Sequence, residues 1–452
     1  IMRLWNIAFL LGISIHSGLA WSKVGPEEAT KLGKELTPVG AERAGNADGS
    51  IPVWTPAQRR GKTAGEYSSD PVIDAEKPLF AITKANMGQY ADKLSAGNKE
   101  LLRRYPDTYS MQVYPSHRVM AFPEEIYRAT HTNAGNCELI GTDIPNNCTL
   151  GFPFPIPQSG AEVIWNHKIK WRGERVTRYN NQMIVQLDGT FQLTKIIEDA
   201  IFPYSSVEKP GTLVKGGATG MVTYVSETTA PPRMAGQLIL ALERPGTGTE
   251  GRVAYLYNVG LRRLRRAPTV CCDNPYEGTD GHQFYDQVDM FNGVLDGFTW
   301  KLAGKKEIYV GYNAHKISGP SVKFKDLAAA KHLNQSVARY ELHRVWVVEA
   351  INRPEKRHTF KKKVFYVDED SWNIVAIDDY DHRDQLMQFQ EGHFIVQYNI
   401  LAGATVPEVI YHFDSGRYFV TAMANEDKPN NFDVTFSSDY FTPAAVTKKT
   451  TR

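Results

Sequence analysis

The feature that most constrains the fold is a succession of short strand-like runs joined by tight turns. The clearest pair is MIVQL and TFQLTKI, which flank Asp188-Gly189. An Asp-Gly pair between two such runs is the strongest short-range signal for a β-hairpin. Similar pairs recur downstream: GQLILALE with RVAYLYN, KVFYV with WNIVAID, and EVIYHF with RYFVTAM. Consecutive hairpins predict a meandering antiparallel sheet.

The predicted sheet is large, and its size affects its shape. About ten twisted strands curl or close on themselves when they leave no covered edge. Side chains alternate between the two faces of a strand, so Tyr255 shares a face with Tyr257, and Phe365 with Val367. We therefore expect a strongly curved sheet with aromatic residues on its concave face.

The N-terminal part of the chain differs in character. Proline and glycine interrupt it, and helical patterns occur near residues 26–36 and 83–104. Ser159 and Glu162 form a capping-box pattern that predicts another helix. One later helical patch is predicted around residues 325–333. Strands nevertheless predominate, so we expect an α+β, β-dominated fold.

The composition indicates a folded chain with no strong electrostatic bias. Of its 452 residues, 42% are hydrophobic and 23% are charged, so it can build a large core. The net charge is only +2, which argues against a dedicated nucleic-acid binder. Length alone suggests about three domains, but large β-folds often exceed that size as one unit.

Residues 1–20 have the pattern of a secretory signal peptide. Arg3 precedes an apolar run that ends at Ile15, and small residues follow at Gly18 and Ala20. We expect cleavage after Ala20 and export to the periplasm. The alternative is a membrane anchor, but a span needs about 20 apolar residues, and this run is shorter.

The four cysteines fit an oxidising compartment. Cys137 and Cys148 bracket the turn-rich loop ELIGTDIPNN, and we expect them to form a structural disulfide. Cys271 and Cys272 are adjacent and either form a vicinal disulfide or remain two thiols. The sequence has no CxxC redox motif, and zinc would need more ligands nearby.

Common catalytic and cofactor motifs are missing or misplaced. GTGTEG at residues 246–251 matches G-x-G-x-x-G, but a dinucleotide-binding loop must open a helix, and the next run is strand-like. We interpret it as a hairpin turn. The sequence has no G-x-S-x-G elbow, Walker A loop or H-E-x-x-H helix. We expect no cofactor, no metal and no enzymatic activity.

Two groups of acidic residues leave other roles open. They are Asp280, His282, Asp286, Asp289 and Asp296, and Asp378, Asp379, Asp381, His382 and Asp384. The first group either coordinates a hard cation or makes turn hydrogen bonds and ion pairs. For an enzyme, such carboxylates would have to converge with His282 or His382 in a cleft.

The densest basic run is Arg262-Arg263-Leu264-Arg265-Arg266. In a strand, Arg263 and Arg265 share one face, while Arg262 and Leu264 share the other. Guanidinium groups suit bidentate contacts with phosphate or carboxylate groups. We expect Arg262, Arg263, Arg265 and Arg266 either to contact a headgroup or partner, or to be structural arginines of a strand.

Four long sequence blocks resemble a known family. They are LTPVGAERAGNADGSIPVW at 36–54, GFPFPIPQSGAEVIWNHKIKWRG at 151–173, AYLYNVGLRRLRRAPTV at 254–270 and DMFNGVLDGFTWKLAGKKEIYVGYN at 289–313. On these blocks the chain is identified as a member of a bacterial envelope family, domain of unknown function 1329. The similarity extends along essentially the whole chain after residue 20.

The resemblance implies a periplasmic LolA/LolB-like fold, an incomplete antiparallel β-barrel wrapped round helices, with an apolar cavity. It implies a single domain over residues 21–452, with an irregular and helical part at 21–160 and an antiparallel half-barrel at 161–452. Members are associated with an RND-type inner-membrane permease and an outer-membrane β-barrel protein. The resemblance supplies no catalytic residues.

The favoured function is a soluble periplasmic carrier. It would bind a lipid or other hydrophobic compound and move it between the RND-type permease and the outer membrane. The alternatives are a non-carrying scaffold of an envelope transport assembly and an envelope enzyme. Candidate cavity-lining residues are Trp165, Trp171, Tyr255, Tyr257, Phe298, Trp300, Trp346, Phe365 and Trp372. Each of these aromatics would otherwise be an ordinary core residue.

Overall fold

The computed structural model describes residues 24–56, 69–247 and 250–450. The predicted signal peptide at residues 1–20 lies outside the described residues. Strands account for most of the regular structure, and the helices are short. The predicted β-dominated α+β class is confirmed.

The strands are β1 (Phe80–Ile82), β2 (Met111–Val113), β3 (Glu138–Ile140), β4 (Ile144–Asn146), β5 (Arg175–Tyr179), β6 (Asn181–Val185), β7 (Phe191–Ile201), β8 (Val222–Ala230), β9 (Leu238–Glu243), β10 (Arg252–Asn258), β11 (Arg263–Arg266), β12 (Phe298–Gly311), β13 (Tyr340–Asn352), β14 (Lys362–Asp368), β15 (Ile374–Tyr380), β16 (Leu386–Gln397), β17 (Ala402–His412) and β18 (Tyr418–Met423). The α-helices are α1 (Pro26–Ala29), α2 (Pro71–Asp74), α3 (Ala96–Arg104), α4 (Glu124–Asn136), α5 (Gly160–Lys168), α6 (His315–Ser318), α7 (Phe324–Leu327) and α8 (Pro443–Thr450).

Sixteen of the described strands form one sheet, in the order β1-β2-β13-β14-β15-β16-β17-β18-β6-β7-β8-β9-β10-β11, with β12 beside β13 and β5 beside β7. Neighbours are antiparallel except where Tyr340 of β13 pairs in parallel with Val113 of β2. Among the described strands, the end strands β1 and β11 do not pair with each other. The sheet is therefore mixed and, as predicted, is not closed into a barrel.

The hairpins predicted from turn signals are confirmed. They are β6 with β7, β9 with β10, β14 with β15, and β17 with β18. At the Asp-Gly turn, Gly189 has φ 88°, a conformation that glycine adopts without strain. The run at 246–251 lies between β9 and β10, and the Arg244 amide donates to the Gly251 carbonyl over 2.8 Å. The described residues of this run, 246–247 and 250–251, belong to the connection of a hairpin, and the strand β10 follows them.

The helix predicted at residues 83–104 is divided into two pieces, a 3-10 helix at Met87–Lys93 and the α-helix α3. Between them, Leu94 is extended, with ψ 140°. Ser95 caps α3, because its Oγ accepts a hydrogen bond from the Asn98 amide at 3.0 Å. An N-cap residue has non-helical backbone angles, which explains the break.

The helix predicted from the capping-box pattern is confirmed as α5. Ser159 Oγ accepts a hydrogen bond from the Glu162 amide at 3.3 Å. The Glu162 carboxylate accepts from the Gln158 amide, one residue before the position that a capping box uses. The helices predicted at residues 26–36 and 325–333 are only single turns, α1 and α7.

The helices α3 and α5 pack against strands of the sheet. α3 contacts β15 and β16, while α5 contacts β12 and β13. Trp165 of α5 is buried, and its Nε1 donates to the carbonyl oxygen of Thr142 at 2.7 Å. Within the described ranges, no helix combines the length and apolar character that crossing a bilayer would require.

Candidate binding cavity

A cavity lies where the sheet divides along β7. Residues 191–194 of this strand pair with β6, and residues 197–201 pair with β5. β6 pairs on its other side with β18. β5 instead forms an isolated β-bridge between Thr177 and Asn431. Side chains from β5, β6, β16 and β17 line a partly open cavity of about 140 Å³ at this division.

The cavity lining combines apolar and ionisable side chains. The main apolar residues are Val176, Phe202, Val288, Ile395, Val406 and Phe432. The lysine, arginine, aspartate and glutamate side chains of the lining are Lys170, Arg172, Arg178, Asp289 and Glu408. Neutral polar side chains also line the cavity, among them Asn180, Gln182, Gln283, Gln397, Asn399 and Thr405. The lining is therefore mixed in polarity, and its polar groups can fix the orientation of a ligand.

Asp289 is held by two cations. Its Oδ2 accepts hydrogen bonds from Lys170 Nζ and Arg172 Nη1, each over 2.7 Å. Burial alone would raise the pKa of Asp289, but the charges of Arg172 and Lys170 outweigh it and hold the pKa well below its usual range. Arg172 Nη2 also donates to the carbonyl oxygen of Lys168 at 3.0 Å. The Asp289 carboxylate is therefore a fixed negative charge.

His167 fixes the backbone of the same aspartate. Its Nδ1 accepts from the Ile374 amide at 3.0 Å, so Nε2 carries the proton and donates to the Asp289 carbonyl at 2.8 Å. Burial and the Lys170 charge lower the pKa of His167 to about 3, which keeps the imidazole neutral. Asp289 and Met290 have φ 56° and 62°, and such strained backbone occurs where surrounding contacts hold a residue in place.

Two lining groups titrate near neutral pH. Burial, together with the charge of Arg172, lowers the pKa of Lys170 to about 7. Burial, together with repulsion from Asp289, raises the pKa of Glu408 to about 8. Glu408 Oε2 also accepts from the Met290 amide at 3.1 Å. At neutral pH, Glu408 is mainly protonated and Lys170 is partly protonated.

Arg178 is paired outside this cluster. Its Nε donates to Glu198 Oε2 at 2.7 Å, and Asn180 Nδ2 donates to Glu198 Oε1 at 2.9 Å. The cations Lys170, Arg172 and Arg178 therefore face the carboxylates of Asp289 and Glu198. One positive charge remains when Lys170 is protonated, and such a charge in a partly enclosed site attracts an anion.

The size of the cavity limits what it encloses. A volume near 140 Å³ accommodates a group about the size of one small aromatic ring. Sites that enclose a whole drug-sized ligand have volumes of roughly 300–1,000 Å³. The arrangement can therefore bind an acidic group and an adjoining apolar group, while the rest of a larger ligand extends through the opening.

The nine aromatic residues predicted to line a cavity lie elsewhere in the described structure. None of them lines this cavity, and Trp165 borders a second pocket of about 20 Å³. Trp300 contacts Phe365 at 5.6 Å between ring centroids, and Trp346 stacks on Trp372 at 6.2 Å. Their role in ligand binding stays a prediction. The full set is Trp165, Trp171, Tyr255, Tyr257, Phe298, Trp300, Trp346, Phe365 and Trp372.

Sequence reasoning did not select Lys170, Arg172 or Glu408. The run Lys170-Trp171-Arg172 follows a helix with two cations separated by one apolar residue, which places both cations on one face of an extended segment. Glu408 is a lone acidic residue in the apolar run VPEVIY. A carboxyl group in such surroundings is a signal for a shifted pKa.

The acidic groups selected from the sequence mainly form structural contacts. Asp296 forms an ion pair with Lys356 and Asp379 with Lys363, each at 2.9 Å, and Asp384 pairs with Lys361 at 2.6 Å. Asp286 Oδ2 lies 2.9 Å from His358 Nε2. Asp378 accepts hydrogen bonds from the Ala96 and Gly97 amides at the start of α3. His282 Nδ1 and His382 Nε2 contact backbone carbonyl oxygens.

One group within the described ranges has the geometry to hold a metal ion. Ligand atoms of His343, Asp368 and Asp370 lie within 4.8 Å of one another, and all three residues are buried. Both Asp370 oxygens accept hydrogen bonds from Arg118. The carboxylate of Asp370 is therefore already neutralised, and the group fits an internal ion-pair network better than a cation site.

The cysteines are in two different states. The predicted disulfide between Cys137 and Cys148 is confirmed. Cys271 and Cys272 are two free thiols beside the second pocket. A hydrogen bond from Cys272, assisted by the Arg252 charge against the effect of burial, lowers the pKa of Cys271 to about 7.

The chain matches a protein-family model and a bacterial relative over most of its length. Residues 81–447 match the family described as protein of unknown function (DUF1329). A protein of Pseudomonas aeruginosa, described as uncharacterised, is 40% identical over an alignment 459 positions long that covers 98% of each chain.

Solved structures with a similar fold are less alike in sequence. A DUF1329 family protein from Desulfovibrio piger is 14% identical, with a TM-score of 0.40, and covers 61% of this chain and 92% of that one. A candidate outer membrane lipoprotein-sorting protein domain from Vibrio parahaemolyticus is 13% identical, with a TM-score of 0.42, covering 64% and 98%. A LolA superfamily protein from Nitrosomonas europaea is 10% identical, with a TM-score of 0.38, covering 64% and 99%.

These superpositions are too loose to transfer a binding site from those proteins to this chain. The family assignment rests on sequence instead, and it agrees with the resemblance of the four blocks between residues 36 and 313. The match over residues 81–447 and the relative aligned along almost the whole chain show that this protein belongs to the DUF1329 family.

Proposed function

We propose that this protein is an envelope carrier that binds an amphiphilic compound through an acidic headgroup. The observation that carries the proposal is the cavity at the division of the sheet, where Lys170 and Arg172 share Asp289 and apolar residues form part of the lining. The headgroup would sit against the two cations, and the adjoining apolar group would contact Phe202 and Phe432.

Export to the periplasm is part of the proposal and is supported by the signal-peptide pattern at residues 1–20. Transfer between an RND-type inner-membrane permease and an outer-membrane β-barrel protein is also part of it. That step is supported by the family resemblance. A carrier role requires that part of the ligand be sheltered from water, since each exposed methylene costs about 0.8 kcal/mol.

The test compares two fluorescent probes with the same rings. 1-Anilinonaphthalene-8-sulfonate carries an acidic group, and N-phenyl-1-naphthylamine does not. The wild-type protein should bind the sulfonate more tightly. Arg172→Gln should weaken sulfonate binding at least tenfold, because hydrogen bonds to charged groups contribute roughly 1.5–3 kcal/mol. Binding of the neutral probe should change little.

Two further variants locate the site. Ala404 lines the cavity, so Ala404→Phe should fill it and abolish binding of both probes, while Ala404→Ser should preserve binding. Arg175 is not among the lining residues and has a partly exposed side chain, so Arg175→Gln is the matched charge control. Equal effects of Arg175→Gln and Arg172→Gln would contradict the proposed headgroup site.

Extraction of the natively purified protein, followed by lipid mass spectrometry, tests the carrier function directly. An acidic amphiphile that co-purifies with the wild type and is lost from Ala404→Phe supports the proposal. Repeated absence of any bound compound, together with no binding of either probe, would sink it. That outcome would favour the alternative of a non-carrying scaffold.

A further inference from the structure

The hairpin of β10 and β11 ends in an exposed apolar tip. Its turn is closed by the Arg262 amide, which donates to the Val259 carbonyl at 3.3 Å, and by the Leu261 amide, which donates to Asn258 Oδ1 at 3.1 Å. Leu261 is 58% exposed and Val259 is 38% exposed. The closed turn therefore presents two aliphatic side chains to solvent in a defined position.

Four arginines surround this tip. Arg262 lies in the turn, and Arg263, Arg265 and Arg266 lie in β11, all exposed. In the described part of the chain, none of the four forms an ion pair with a carboxylate. The register pairs Arg263 with Asn258 and Arg265 with Leu256, so these two arginines share a face. Four unpaired charges on one hairpin exceed the net charge of the whole chain, +2.

Protection of a sheet edge explains only part of this arrangement. β11 is the last strand of the sheet, and charged residues on an edge strand prevent its pairing with another chain. That role does not require Val259 and Leu261 to be exposed. Aliphatic side chains flanked by basic ones match a surface with an apolar interior and anionic headgroups.

We propose that the β10–β11 hairpin docks on an anionic lipid membrane. Val259 and Leu261 enter the boundary between headgroups and acyl chains, while the four arginines contact lipid phosphates. Arginine suits this contact because its planar guanidinium donates two hydrogen bonds to one phosphate. The inference is independent of the proposed carrier function, because it uses no residue of the cavity.

The experiment measures co-sedimentation of the purified protein with vesicles of phosphatidylcholine, with or without phosphatidylglycerol. The wild type should bind only the vesicles that contain phosphatidylglycerol, and high salt should release it. Arg263→Gln with Arg265→Gln should weaken binding about 30-fold, since each basic residue near a membrane surface contributes about fivefold. Leu261→Ser should weaken binding about tenfold through lost apolar burial.

Lys209→Gln with Lys215→Gln is the matched control, because both lysines are exposed and lie outside this hairpin. This control should bind the anionic vesicles like the wild type. Thermal unfolding of each variant separates lost binding from lost folding, since all these side chains are at the surface. Absence of wild-type binding, or an equal loss in the lysine control, would overturn the inference.

Discussion

Arg118 and Asp370 form a bidentate ion pair in the interior. Nε of the arginine donates to Oδ2, and Nη2 donates to Oδ1, each over 2.8 Å, and both side chains are 1% exposed. The same guanidinium donates to the carbonyl oxygens of Glu42, Ala44 and Pro52. This pair therefore joins the N-terminal segment to the turn between β14 and β15.

Loss of this arginine should be strongly destabilising. Arg118→Gln would leave the buried Asp370 carboxylate without its partner, which costs about 3–5 kcal/mol. Urea denaturation measures the free energy of unfolding. Arg103→Gln is the control, since that side chain is 58% exposed in its pair with Glu100, and its loss should cost less than about 1 kcal/mol. Similar losses in the two variants would refute a special role for Arg118.

The disulfide should stabilise the folded state. Cys137 and Cys148 close a loop with a sequence separation of 11, and a loop of this length gains about 3 kcal/mol from closure. The double variant Cys137→Ser with Cys148→Ser should lower the free energy of unfolding by that amount. Replacing the free thiols Cys271 and Cys272 with serine should cost less than about 1 kcal/mol. The prediction fails if the two double variants are equally stable.

Glu391 should make stability depend on pH. Burial raises the pKa of this carboxyl group from its ordinary value near 4.5 to about 7. The protonated group therefore contributes fully to the free energy of unfolding below pH 4.5, and this contribution is lost as the pH rises through 7. Relative to Glu391→Gln, the wild type should lose about 3 kcal/mol between pH 4.5 and 8. Urea denaturation at several pH values tests this, and a constant difference between the two proteins would contradict it.

Binding of the sulfonate probe should tighten as the pH falls from about 8.5 to 6. Over that range Lys170 gains a proton, since its pKa is about 7, and Glu408 loses its charge, since its pKa is about 8. Both changes favour an anion, whereas the Asp289 charge stays constant. Fluorescence titration measures the dissociation constant at each pH. Lys170→Gln should make the profile shallower and leave the part that Glu408 causes, and an unchanged profile in that variant would exclude Lys170 as a cause.

Much of the fold could be predicted from local sequence. The Asp188-Gly189 turn and the alternating runs beside it determined the β6–β7 hairpin, because turn chemistry and strand period act between neighbouring residues. Ser159 likewise marked the start of α5. The sequence-based prediction missed the break before α3, because the helical pattern at residues 83–104 continues through Leu94 and Ser95. It does not show that Leu94 is extended or that Ser95 caps a new helix.

The sequence alone thus determined the β-dominated class, the main hairpins and the disulfide pair. Only the tertiary structure decided which side chains meet at the cavity. Lys170 and Asp289 are 119 residues apart, and Glu408 belongs to a third segment, so no local pattern places them together. The aromatic residues chosen by strand alternation pack elsewhere. Alternation assigns a side chain only to a face of the sheet. The packing of distant segments decides where on that face a space remains.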